Sequence, residues 1–298
     1  MRIASNTVSE TIVRQIQQLA VQQSRLQTQV ATGQRIAQPG DDAAAAGRVL
    51  NYQSAGRRAA QYLRNADRAL ELSQASYSTL TQIKTISDRA GELGTLGQGA
   101  SSPEARGAYA AEVNQLLEQL GQLGNAKLGN DHLFAGTALD QSAFTFTRDA
   151  NGRMTAATYA GNTDAMLVPL SDTANLAPLT SSTTNQALGG FMNQLVALRD
   201  ALTAGDSAAL TAAQTGLMAS EDLLVSALAE HGAVQMRIEV NRAQQVDLAD
   251  SIENLVSGET SADLPETIVR LNQTLTAYQA ALQSSASIMR ISLLDYIQ

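Results

Sequence analysis

Apolar residues at both ends of the chain recur at spacings of three and four, and no other feature restricts the fold as strongly. In residues 5–32, Ile12, Ile16, Leu19, Leu26 and Val30 form one stripe, with Gln23 in its vacant slot. In residues 264–297, Ile268, Leu271, Leu275, Tyr278, Leu282 and Met289 form another, and Leu293 extends it. A seam of this period is covered only when helices lie side by side. The interior repeats the pattern. Residues 41–98 contain no Pro, and Leu63, Leu70 and Tyr77 recur every seven residues. Leu217, Leu224, His231 and Ile238 are also seven apart, and Val113, Leu116, Leu120 and Leu123 mark a shorter run. The spacing predicts a mainly α chain of long coiled-coil-like helical arms and a bundle.

Composition agrees with slim packing. There are 50 Ala but only 4 Phe, 7 Tyr and no Trp, whereas a thick core draws on rings that bury about 150–250 Å² each. The absence of Cys excludes disulfide scaffolds, thiolate metal sites and thiol catalysis. A net charge of −8 argues against a nucleic-acid binder. No apolar run approaches the roughly 20 residues of a membrane span, and the first residues lack the apolar stretch of a cleaved secretory signal.

Local signals divide the chain. Gly33 is expected to end the first helix. Asp41-Asp42, Ser102-Pro103 and Asp263-Leu264-Pro265-Glu266 read as helix starts. Alternation over Ala143–Thr147 and Arg153–Tyr159, joined by Asp149-Ala150-Asn151-Gly152, reads as a hairpin. Three of the four Phe (Phe134, Phe144, Phe146) fall in or beside it. Residues 171–186 read as loop, and Val256-Ser257-Gly258 as a helix break. The expected organisation is an N-terminal arm over 1–40, helical rod over 41–134, a small β-rich insert over 135–188, helical rod over 189–258 and a C-terminal arm over 259–298. The N- and C-termini are then paired at one end.

Charge is uneven. Residues 1–40 sum to +3 and carry nine Gln, residues 259–298 sum to −2, and the middle holds −9. Charge-poor, amide-rich arms suit burial against copies or homologous neighbours, and their weak seams suggest ordering on assembly. Chemical constellations are scarce. Asp41-Asp42 has no third ligand nearby and reads as a cap. Gly91, Gly94, Gly97 and Gly99 follow no strand and precede no Lys, so they read as a flexible bend rather than a phosphate loop. His132 and His231 are isolated and read as surface or seam residues. Arg57, Arg58, Arg64 and Arg68 are expected to pair with Asp67 and Glu71. No catalytic residue, metal or cofactor is expected.

Several elements resemble a known family. Met1-Arg2-Ile3, Ala31-Thr32-Gly33-Gln34-Arg35-Ile36 and Pro39-Gly40-Asp41-Asp42-Ala43-Ala44 resemble the N-terminal signature of bacterial flagellins and hook–filament junction proteins. Leu133-Phe134-Ala135-Gly136 and the ending Ser292-Leu293-Leu294-Asp295-Tyr296 resemble the junction proteins more than flagellin. Both terminal thirds carry the resemblance, while residues 138–188 match loosely. It implies a non-enzymatic structural subunit, exported through the flagellar type III channel to an extracellular place in the flagellum. It further implies a ring with other copies of itself, between a first hook-associated junction protein and flagellin, and an export chaperone at the C-terminal arm. Neither nucleic acid nor membrane is an implied partner. The arm residues Ile12, Ile16, Leu19, Leu26, Val30, Ile268, Leu271, Leu275, Tyr278, Leu282, Met289 and Leu293 are the candidate assembly interface. A flagellin filament subunit, or a secreted helical adhesin using the β insert as its head, are the alternatives.

Overall fold

A computed structural model describes residues 2–297, with side chains over 10–287. The elements are α1 (Arg2–Thr32), α2 (Ala43–Gly99), α3 (Pro103–Gly124), β1 (Lys127–Leu128), β2 (Asp131–His132), β3 (Phe144–Arg148), β4 (Met154–Tyr159), β5 (Val168–Pro169), β6 (Asn175–Leu176), α4 (Ser182–Ala204), α5 (Ser207–Thr260) and α6 (Leu264–Ile297). The fold is mainly α with a small β region, as the periodicity predicts. Two compact units divide it, residues 1–58 with 248–298, and residues 59–247.

The first unit pairs α1 with α6. Gly33, at φ +70°, ends α1 by donating to the Gln29 carbonyl at 2.9 Å. Arg35 N then donates to Thr260 O at 2.7 Å, and Ala262 N to Gly33 O at 2.8 Å. The end of α1 therefore meets the start of α6, which makes the pair antiparallel. Asp263 caps α6, its Oδ1 accepting from Glu266 N at 3.1 Å.

The second unit has a continuous core. α2 supplies Leu72, Leu80, Ile83 and Leu93, α3 supplies Val113, Leu117 and Leu120, and α4 supplies Leu188, Phe191, Leu195 and Leu198. Leu210, Leu217 and Leu224 of α5 close it. Each such side chain contributes about 1.5–3 kcal/mol on burial, so this unit carries most of the hydrophobic stabilisation. The β3–β4 hairpin has no separate core: Phe144, Met154 and Ala157 join the same helical cluster, as does Phe134. Its turn is held by Asp149, whose side chain accepts from Asn151 N at 2.8 Å and Arg153 N at 2.9 Å. Gly152 supplies φ +78°.

Three local expectations are corrected. Gly91, Gly94, Gly97 and Gly99 lie inside α2 and make no bend. Gly94 and Gly97 are buried, and a Cβ on Gly97 would stand 2.2 Å from Leu202 Cδ2. These glycines let α4 approach α2 closely, a reason for small residues that local sequence does not reveal. Residues 171–186 are not all loop: β6 lies within them, and Ser181 caps α4 by accepting from Thr184 N at 3.2 Å. Val256-Ser257-Gly258 does not break α5, which runs to Thr260.

Candidate assembly interface

The seam of α1 is the one its spacing predicts. Leu26 is buried, and Ile12, Ile16, Leu19, Gln23 and Val30 are half-buried on the same face. The α6 seam is rotated from its prediction. Leu271, Leu275 and Tyr278 are half-buried, but Ile268 and Leu282 are 44% and 43% exposed. Thr267, Thr274 and Ser285 are buried in their stead. Their hydroxyls donate to carbonyls four residues back, at 2.6 Å to Asp263 O, 2.8 Å to Arg270 O and 2.6 Å to Ala281 O. Satisfied by their own helix, they act as small seam residues, and hydrophobic period alone cannot identify them. The side chains of Met289 and Leu293 lie outside the described residues.

Where α1 ends and α6 begins, the residues of the N-terminal signature form a polar joint. Asp41 Oδ2 accepts from Ala37 N at 3.0 Å and Gln38 N at 2.9 Å, closing the Pro39-Gly40 turn. Asp42 Oδ1 accepts from Ala45 N at 2.9 Å and caps α2. Arg35 donates to Asp42 Oδ2 at 3.2 Å and to the Glu259 carbonyl at 2.9 Å. Arg48 grips Glu259 through two hydrogen bonds, at 2.7 and 2.9 Å. Backbone donors hold Asp41 and Asp42 below the usual carboxylate range, and the Arg48 guanidinium does the same for Glu259. Asp41 and Asp42 thus cap and brace, as expected. The Arg48–Glu259 pair spans 211 residues and has no local signal.

The opposite net charges of the arms do not pair along the seam among the described residues. Among the described residues, the charged side chains of α1 and α6 bond within their own helix or to the joint: Arg14 to Glu10 O, Arg25 to Asp41, and Arg270 to Glu266. The basic stretch of α2 is also only partly locally paired. Arg68 contacts Glu71 and Asp131, whereas Asp67 is held by Arg242 at 2.6 Å.

His231 is a seam residue of the second unit. Its Nε2 lies 3.0 Å from Ser73 O and 3.2 Å from Ser73 Oγ, and Gln235 Nε2 donates to the same carbonyl at 3.2 Å. Ser73 is fully buried, so this histidine–serine contact packs α5 against α2. The partner is 158 residues away in sequence, which is why His231 reads as isolated. Burial pushes both His231 and His132 below the usual histidine value. Among the described residues, no group of three or more His, Cys, Asp or Glu is placed to hold a metal ion. No helix there is long and apolar enough to cross a membrane.

Leu133-Phe134-Ala135-Gly136 has a structural meaning as well. Leu133, Phe134 and Ala135 are buried, and Gly136, at φ +70°, turns against the backbone of Asn162.

The fold thus consists of an antiparallel terminal helix pair with a braced joint and a helical bundle bearing a small hairpin. Residues 3–138 match the family model of the bacterial flagellin N-terminal helical region. The chain is 27% identical over 146 residues to flagellar hook-associated protein 3 of Salmonella typhimurium, an alignment covering 48% of this chain and 46% of that protein. It thus spans about half the length of the curated relative it matches. Its fold is shared with a putative flagellar hook-associated protein from Vibrio parahaemolyticus, with a TM-score of 0.66, 16% identity, and coverage of 74% of this chain and 100% of that one. Bacillus cereus FlgL gives a TM-score of 0.59 at 18% identity, covering 70% and 99%. The flagellar junction protein FlgL from Legionella pneumophila gives 0.51 at 12%, covering 72% and 100%.

Proposed function

We propose that this chain is a structural subunit of the bacterial flagellum, joining the hook-associated layer to the flagellin filament through its terminal helices. The observation that carries the reading is the α1–α6 pair. Its joint is built from the residues of the N-terminal signature, and its outer faces hold exposed apolar residues, among them Val21, Ile268, Val269 and Leu282. A flagellin-type N-terminal region and a fold shared with hook-associated proteins support the same role. The partners are then other copies in a ring, a first junction protein on the hook side and flagellin on the other. Export runs through the flagellar type III channel, with a chaperone at the C-terminal arm. The role is structural, not catalytic. The twelve seam residues named from the sequence then form the arm interface, with Ile268 and Leu282 facing neighbours rather than α1.

Deletion of the gene, followed by cryo-electron microscopy of hooks from complemented cells, tests this. Cells without the chain should release filaments into the medium, and tagged chain should occupy a single layer at the joint. Tag distributed along the whole filament would identify a flagellin instead.

A further inference from the structure

We propose that the outward face of α5 in the second unit docks a second copy of this chain, met by the exposed arginine face of that copy's α2. The inference rests on the proposed assembly role and adds to it a contact surface outside the arms. Met218, Val225, Met236 and Val240 are between 51% and 69% exposed. Their spacings of seven, eleven and four place them on one straight line along α5. Ala229, Gly232, Ala233 and Ala243 lie between or beside them and let another helix approach closely. Such a line is the signature of a helix face that packs, not of a solvated one.

Charge identifies the other side of the contact. Asp222, Glu230 and Glu239 border the line and are exposed, and none forms an ion pair among the described residues. On α2, Arg57, Arg58 and Arg64 are exposed, and none has an acidic partner among the described residues: Arg58 donates to Ser54 Oγ and Arg64 to Gln61 Oε1. Arg57 and Arg64 are seven apart and share a face. Arginine stems cover apolar surface while their heads reach acids at its edge, which is what the α5 face offers. A contact between unlike faces repeats from copy to copy and builds rings or open helices.

Area then selects a second copy over an independent partner. Residues 218–243 span about 38 Å of a helix about 10 Å wide. A contact there buries roughly 800 Å² over both sides, less than the roughly 1,200–2,000 Å² of complexes that stand alone. The face fits a contact added to one already held elsewhere, as between copies whose arms share an assembly.

Because the chain has no Cys, introduced cysteines report without background. Full-length chain carrying both Val225→Cys and Gln61→Cys is expressed in cells lacking the native copy, and purified flagella are treated with a short bismaleimide. A ladder of dimers and larger species is expected only when both cysteines are present. Asp222→Arg with Glu230→Arg should reduce the ladder roughly fivefold, the scale of two exposed ion pairs, and Arg57→Glu with Arg64→Glu in the same chain should restore it. Chain present in flagella without a ladder, or a dimer from Val225→Cys alone, overturns the inference and leaves the structural role standing. Chain absent from flagella overturns the role and the inference together.

Discussion

Gly136 and His231 show how single residues limit what the second unit tolerates. Gly136 sits at φ +70°, and a Cβ there would stand 2.8 Å from Asn162 O and 2.3 Å from Asn162 Oδ1. A side chain in that conformation costs about 1–3 kcal/mol in strain, and the backbone oxygen cannot swing away as a side chain could. Gly136→Ala should therefore lower the melting temperature by several degrees, which calorimetry at neutral pH would read. His231 makes stability depend on pH. Burial lowers its folded value beneath the unfolded one, near 6.5. The unfolded chain therefore takes up the proton first. The stabilisation is present above about pH 6.5 and is lost as pH falls through the depressed folded value. His132 is lowered by burial too and adds in the same direction. Melting temperatures should fall between pH 7.5 and 5, and less steeply in a His231→Gln, His132→Gln chain. An equal slope in both proteins would place the acid sensitivity elsewhere.

Helices differ in how much of their packing is written in their own sequence. For α1 the apolar period and the buried face coincide, because Ile12, Ile16, Leu19 and Leu26 are large apolar side chains and share that face. For α6 they do not coincide. Thr267, Thr274 and Ser285 satisfy their hydroxyls within the helix, so the seam follows small size rather than hydropathy. The N-terminal joint is half legible in the same sense. Asp41 and Asp42 cap their own turn, a local pattern, whereas Arg48 and Glu259 are joined only by the return of the chain. Gly94 and Gly97 misread as a bend because their reason is a neighbour more than 100 residues away. A contrast of variants follows. Leu26→Asp buries a charge on the α1–α6 face at a cost of several kcal/mol, on the order of a desolvated unpaired polar group or more, and should abolish amide protection in both arms. Leu282→Asp, at an exposed position, should leave that protection unchanged and instead weaken filament attachment. Hydrogen exchange on the free chain, paired with counts of attached filaments, would separate the two. Loss of protection in both variants would return Leu282 to the seam.

Stability is divided unequally between the two units, and this shapes what the whole chain can do. Leu26, at 8% exposure, is the most buried residue of α1 among those described, and the α6 seam is largely hydroxyl-bearing or half-buried. The second unit instead holds a connected cluster running through α2, α3, α4 and α5, with the hairpin pinned to it by Asn193, whose side chain bonds both backbone groups of Ala157 at 2.9 Å. Helices gain most of their stability from packing, so the arms should open long before the bundle. Residues 59–247 taken alone should then keep a cooperative thermal transition, even though the cuts fall inside α2 and α5. The fragment should melt within a few degrees of the full chain, because the residues removed contribute little of the buried apolar area. It should also fail to enter flagella, since it lacks the arms. A fragment without a cooperative transition would mean that the bundle depends on the arm helices for its own folding. The stable body and the adhesive ends would then not be separable properties of this sequence.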